Sequence, residues 1–174
     1  MSLDELVWNR VLLGDLGGAF DLLWGRPDAD SDESLATRAE LQAFCGNEEA
    51  ALQLASDVQD PGRAASIRAA VAAARGDWEA AHDLAAQSLT AHPGARRTRS
   101  LLARAALELN DLDQALGRFD EIEASSSPLD WDVELIRALA AADPDSSLAA
   151  LAERARDEGA ARVEAEAFAE LGIL

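Results

Sequence analysis

Apolar and polar positions recur along this chain with the helical period of about 3.6 residues, interrupted at regular intervals by short polar turns. Residues 76–93, GDWEAAHDLAAQSLTAHP, show the unit most clearly. Gly76-Asp77 supplies a break and an N-cap. Ala80, Ala81, Leu84, Ala85 and Leu89 then fall on one helical face, and Pro93 ends the run.

The same phrase returns as Asn110-Asp111-Leu112-Asp113-Gln114-Ala115. It also occurs earlier, as Gly46-Asn47-Glu48-Glu49-Ala50-Ala51 and as Gly14-Asp15-Leu16-Gly17-Gly18-Ala19. A weaker copy starts at Asp143. Turns near 14, 46, 76, 110 and 143 are spaced by 32, 30, 34 and 33 residues. A period in that range is the mark of a helical repeat array, in which each helix pair buries its apolar stripe only by stacking on its neighbours.

The pattern predicts eleven helices: 3–13, 16–24, 32–45, 47–58, 63–75, 77–91, 95–109, 111–124, 129–142, 145–157 and 160–171. Residues 60–62 and 92–94 read as Pro/Gly turns, and 125–128 as a connector of turn residues. The expected fold class is all-α: a right-handed α-solenoid of about five antiparallel helix pairs plus a C-terminal helix, in one repeat domain spanning 1–174. Gly17-Gly18 weakens the second helix and is read as room for close helix packing.

Composition supports helix. Apolar residues make up 49% of the 174, and alanine, the best helix former, supplies much of that share. The net charge is −18, with no Lys; all 15 bases are Arg. So acidic a chain is not expected to bind nucleic acid. This composition, Arg without Lys in so acidic a chain, reads either as that of a GC-rich genome or as adaptation to high salt. No run of 18 apolar residues occurs, nor a basic segment followed by an apolar one at the start, so no membrane partner and a cytoplasmic location are expected.

Residues 76–109, and again from 110, resemble the tetratricopeptide repeat (TPR) family. The resemblance rests on the Gly76-Asp77-Trp78 turn, Ala81, Pro93, the Leu102-Ala103 pair with Ala106, and Ala115 and Phe119 in the next second helix. It extends over nearly the whole chain and is most specific in the two middle repeats. The 46–75 unit has 30 residues, and most repeats lack the aromatic residue of the first helix. The resemblance implies a binding scaffold whose first helices line a concave groove that holds a peptide. The family's chaperone-tail clamp uses Lys and Asn, and a chain without Lys does not inherit that partner.

Candidate chemistry is sparse. Catalytic residues, cofactors and a metal site are not expected. Cys45 is alone and reads as a small buried hydrophobe. His82 and His92 belong to no catalytic or metal-binding spacing. The aspartates at 28, 30 and 32 alternate as in a calcium loop, but that loop's central Gly and closing Glu are missing, and a polar connector is the plainer reading.

Charge distribution is more informative. Residues 61–107 hold seven Arg and three acids, an island of +4 in a chain whose remainder carries −22. Arg97, Ser100, Arg104 and Glu108 share one stripe of a first helix. A shift of 34 places Arg63 and Ser66 in register with Arg97 and Ser100, and Arg137 follows Arg104 in the next repeat. With the groove that the resemblance implies, Arg63, Ser66, Arg97, Ser100, Arg104 and Arg137 are the candidate peptide-binding residues, with Trp8 as an apolar anchor. The arginines equally suit neutralising the protein's own acids. The expected function is a non-catalytic protein–protein interaction scaffold or adaptor holding an acidic peptide segment. The alternatives are a self-assembling structural subunit, hence a homo-oligomer, and a regulatory module binding a small anion.

Overall fold

The computed structural model describes residues 3–25, 31–111, 117 and 131–172. Among them lie ten α-helices and no strand: α1 (Leu3–Leu12), α2 (Leu16–Trp24), α3 (Asp32–Phe44), α4 (Glu48–Asp57), α5 (Pro61–Ala74), α6 (Trp78–Ala91), α7 (Arg96–Glu108), α8 (Trp131–Leu139), α9 (Pro144–Asp157) and α10 (Ala161–Glu170). The expected helix over 111–124 lies outside the described residues apart from Asp111 and Gly117. Asp28, Asp30 and the 125–128 connector lie outside them too. Two compact units divide the chain: Leu23–Ile122, and Met1–Leu22 together with Glu123–Leu174.

In Leu23–Ile122, α3, α5 and α7 pack one on the next, α4 contacts α3 and α5, and α6 contacts α5 and α7. One turn design recurs after α3, α5 and α7. Gly46, Gly76 and Asn110 take left-handed φ of 76°, 74° and 61°. The next N–H then reaches back to the helix: Asn47 to Gln42 O at 2.8 Å, Asp77 to Ala72 O at 3.0 Å, Asp111 to Ala106 O at 2.9 Å. Gly and Asn hold these positions because a Cβ makes the left-handed region costly for other residues. Asp77 then caps α6, accepting from the Ala80 N–H at 3.2 Å.

The link between pairs differs from the sequence expectation. Residues 60–62 are not a free turn, because α5 already begins at Pro61. Proline suits the first helical position, where no N–H partner exists, and the Asp60 carboxylate caps the N–H groups of Gly62 (2.8 Å) and Arg63 (3.0 Å).

Alanine sets the spacing between helices. Ala36, Ala39, Ala43, Ala51, Ala55 and Ala64 pack with Val58, Ile67 and Val71 across α3, α4 and α5. Ala72, Ala81 and Ala105 form the corresponding contact of α5, α6 and α7, flanked by Trp78 and Leu84. Ile67 and Leu102 are almost fully buried, each contributing about 2 kcal/mol of hydrophobic stabilisation.

In the other unit α8, α9 and α10 pack around Leu135, Leu148, Leu151, Ala152, Ala155, Val163 and Ala167, and α1 packs against α10. Asp143 does not start a copy of the 76–78 turn. It caps α9 through the Ser146 N–H at 3.3 Å, with Pro144 at the first helical position, as Asp60 and Pro61 do for α5. The left-handed turn comes at Gly159 (φ 75°), where the Ala160 N–H reaches Ala155 O at 2.8 Å. Pro61 and Gly76 are 15 positions apart, as are Pro144 and Gly159. The last pair is therefore α9/α10, with α8 preceding it. A locked proline φ and the Asp143 φ of −127° exclude the left-handed turn at 143.

Gly18 has a different role from the packing role expected of it. A Cβ there would collide with the Asp15 carboxylate, which accepts from the Gly18 N–H at 2.9 Å and caps α2, while a Cβ at Gly17 meets open space.

Candidate functional site

On one face of Leu23–Ile122, turns of α3, α5 and α7 line a pocket of about 260 Å³. Helical i, i+4 spacing builds it: Glu40 and Phe44 from α3, Ser66, Ala70 and Ala74 from α5, Arg97 and Leu101 from α7, with Ala43 and Thr98 beside them. Alanines on α5 keep the floor low between larger residues on α3 and α7. Phe44 is 40% exposed at the pocket.

A polar network crosses the pocket from α3 to α7. Arg97 Nη1 donates to Glu40 Oε2 at 3.0 Å. Ser66 Oγ donates to Glu40 Oε1 at 3.3 Å and lies 2.9 Å from Thr98 Oγ1. The carboxylate only accepts, so the one Ser66 proton is committed to it and Thr98 donates to Ser66. Thr98 is buried, and the Glu40 side chain is 18% exposed against 35% for Arg97.

The sequence-derived candidates divide between the two units. Ser66 and Arg97 meet in the pocket. Arg63 is half-buried on α5, one turn before Ser66. Ser100 is buried at 7% exposure and does not line the pocket. Arg104 pairs with Glu108 at 2.6 Å, and its guanidinium lies 6.0 Å from the Trp78 ring centre. In the other unit, Arg137 pairs with Glu134 at 2.7 Å, and Trp8 is half-buried on α1. Sequence reasoning missed Glu40, Phe44, Thr98 and Leu101. Phe44 carried a signal, as a large apolar residue in an alanine-rich helix. Glu40 carried none, since it looks like any of the chain's acids.

Asp32, Asp60 and His92 serve the scaffold. Asp32 accepts from the backbone N–H groups of Gln59 and Asp60, both at 3.0 Å. His92 Nε2 lies 2.9 Å from both Asp60 carboxylate oxygens. That contact, followed by the Arg63 N–H, holds the Asp60 carboxyl below the usual carboxylate range. Cys45 is half-buried, and burial pushes its thiol up. Among the described residues no helix is long and apolar enough to cross a membrane.

Residues 72–126 match the model of the tetratricopeptide repeat family. That stretch takes in the end of α5, the Gly76-Asp77 turn, α6, Pro93 and α7. The chain is also similar to the crystal structure of a tetratricopeptide repeat protein from Parabacteroides merdae, with a TM-score of 0.61 over 92% of this chain and 68% of that one, at 16% identity. No curated protein matches it. Local turn chemistry, alanine-spaced helix pairs and these two likenesses agree: the chain has an all-α, TPR-like helical-repeat fold and is similar to the tetratricopeptide repeat family over residues 72–126.

Proposed function

We propose that the protein is a non-catalytic interaction scaffold that holds an acidic peptide segment of another protein against α3, α5 and α7. TPR repeats generally mediate protein–protein interaction through the surfaces that stacked repeats create. The observation that carries the reading is the pocket itself: an apolar floor with convergent polar groups on neighbouring helices, where Arg97 and Ser66, backed by Thr98, already hold the carboxylate of Glu40. Arg63 extends the same face of α5. A cationic and hydroxyl donor set over apolar surface suits a carboxylate borne beside an apolar side chain.

The test is a display of short peptides probed with the full chain and with Arg97→Glu. Wild type should retain peptides that carry Asp or Glu beside an apolar residue, and the variant should lose them by roughly ten-fold or more, as for a charge-assisted hydrogen bond. Equal retention by a folded variant would remove the groove from consideration. Concentration-dependent higher-order species without peptide binding would favour the self-assembling alternative.

A further inference from the structure

The donors suited to a partner's carboxylate already hold one. Glu40 reaches from α3 across α5 to Arg97 on α7, and its two oxygens take the Ser66 hydroxyl and the Arg97 guanidinium. Thr98, buried behind Ser66, orients that hydroxyl toward Glu40. Four residues along α3, Phe44 is partly exposed and lines the same pocket together with Ala70, Ala74 and Leu101. The polar and apolar parts of the pocket are thus side by side, and the polar donors are paired from within.

We infer that Glu40 is an internal stand-in for the partner's carboxylate, so that an acidic peptide binds by exchanging its own carboxylate for that of Glu40 on Ser66 and Arg97. The inference rests on the peptide-binding reading above and adds its regulation and selectivity. Exchange replaces one carboxylate–guanidinium pair by another, so charge alone yields little net affinity. The gain comes from apolar contact with Phe44, Ala70 and Leu101. The partner is therefore a peptide with an apolar side chain next to its acid, and a merely acidic chain is rejected.

The experiment is a fluorescence-anisotropy titration of labelled synthetic peptides on the full chain, as wild type, Glu40→Gln and Arg97→Gln. One peptide set carries an acid beside an apolar residue; a second has Asn or Gln in place of each acid. Circular dichroism confirms that each variant is folded. Glu40→Gln should bind the acidic set roughly two- to five-fold tighter than wild type, the span of a partly exposed ion pair, and the amide set unchanged. Binding of the acidic set by Glu40→Gln but not by wild type would support a closed gate. No gain, or a loss, in folded Glu40→Gln would overturn the exchange, while continued dependence on Arg97 would leave the peptide reading standing. No binding by any of the proteins would overturn both.

Discussion

His92 Nε2 sits 2.9 Å from each carboxylate oxygen of Asp60, across 32 residues of chain. The contact ties the end of α6 to the start of α5. Asp60 thereby does two jobs, capping α5 and anchoring the turn that leads into α7. Asp32, at the start of α3, holds the backbone of Gln59 and Asp60 in the same manner. Successive pairs are thus joined by carboxylates at helix N-termini, where the helix dipole also favours negative charge.

Asp60→Ala should cost about 1 kcal/mol at neutral pH, the usual value of a lost N-cap. The folded-state carboxyl lies below its unfolded value. Its contribution is therefore fully present above the ordinary carboxylate range and is lost as the pH falls through the depressed folded value. Urea unfolding of wild type and variant at a series of acid pH values should show the difference closing only there. His92→Ala should move the Asp60 titration upward, read by carboxyl-carbon NMR.

Gly62 and Gly17 should respond oppositely to alanine. A Cβ at Gly62 would lie 2.7 Å from His92 Cδ2 and 2.8 Å from Ala91 Cβ, so Gly62→Ala should destabilise by about 1–3 kcal/mol. Nothing lies within 4 Å of a Cβ at Gly17, and Gly17→Ala should stabilise by about 0.5–1 kcal/mol through the unfolded chain. Thermal melts of the two variants decide both.

The C-terminal pairing can be tested through Gly159. At a left-handed turn, Gly159→Ala should cost about 1–2 kcal/mol although its Cβ would meet no atom within 4 Å. Gly76→Ala should cost a similar amount, by the same geometry. A neutral Gly159→Ala in denaturant titration would contradict the α9/α10 turn.

Ala81 is fully buried where α6 meets Ala72 of α5 and Ala105 of α7. Ala81→Leu should destabilise by about 1–3 kcal/mol, because the added carbons force the helices apart. Ile67→Ala should cost about 2–5 kcal/mol for the opposite reason, a cavity. Similar losses from adding and from removing volume would show a close-packed interface.

Burial raises the Cys45 thiol, so the reactive thiolate is scarcer than in a free cysteine at neutral pH. Alkylation by iodoacetamide should run slower than that of a cysteine-containing peptide at neutral pH, and its rate should level off at a higher pH than the peptide's. Equal rates at neutral pH would show an unshifted thiol.

Much of this molecule is legible in the chain because its governing forces are local. The apolar period places the helices, and Gly76, Gly46 and Asn110 mark turns that few other residues can adopt. Alanine at 81 and 105 announces close approach, and the repeat period with the Gly76-Asp77-Trp78 turn announces the likeness to the tetratricopeptide repeat family. Asp143 misled as a turn because an aspartate before a helix looks the same whether it follows a left-handed glycine or precedes Pro144. Only tertiary packing decided which stripe of each first helix faces the pocket. Adjacent residues differ by about 100° around a helix. That is why Thr98 meets Ser66 at the pocket while Ser100, the residue in repeat register with Ser66, does not line it. It is also why Glu40 and Arg97, 57 positions apart, form one ion pair that no spacing along the chain foretells.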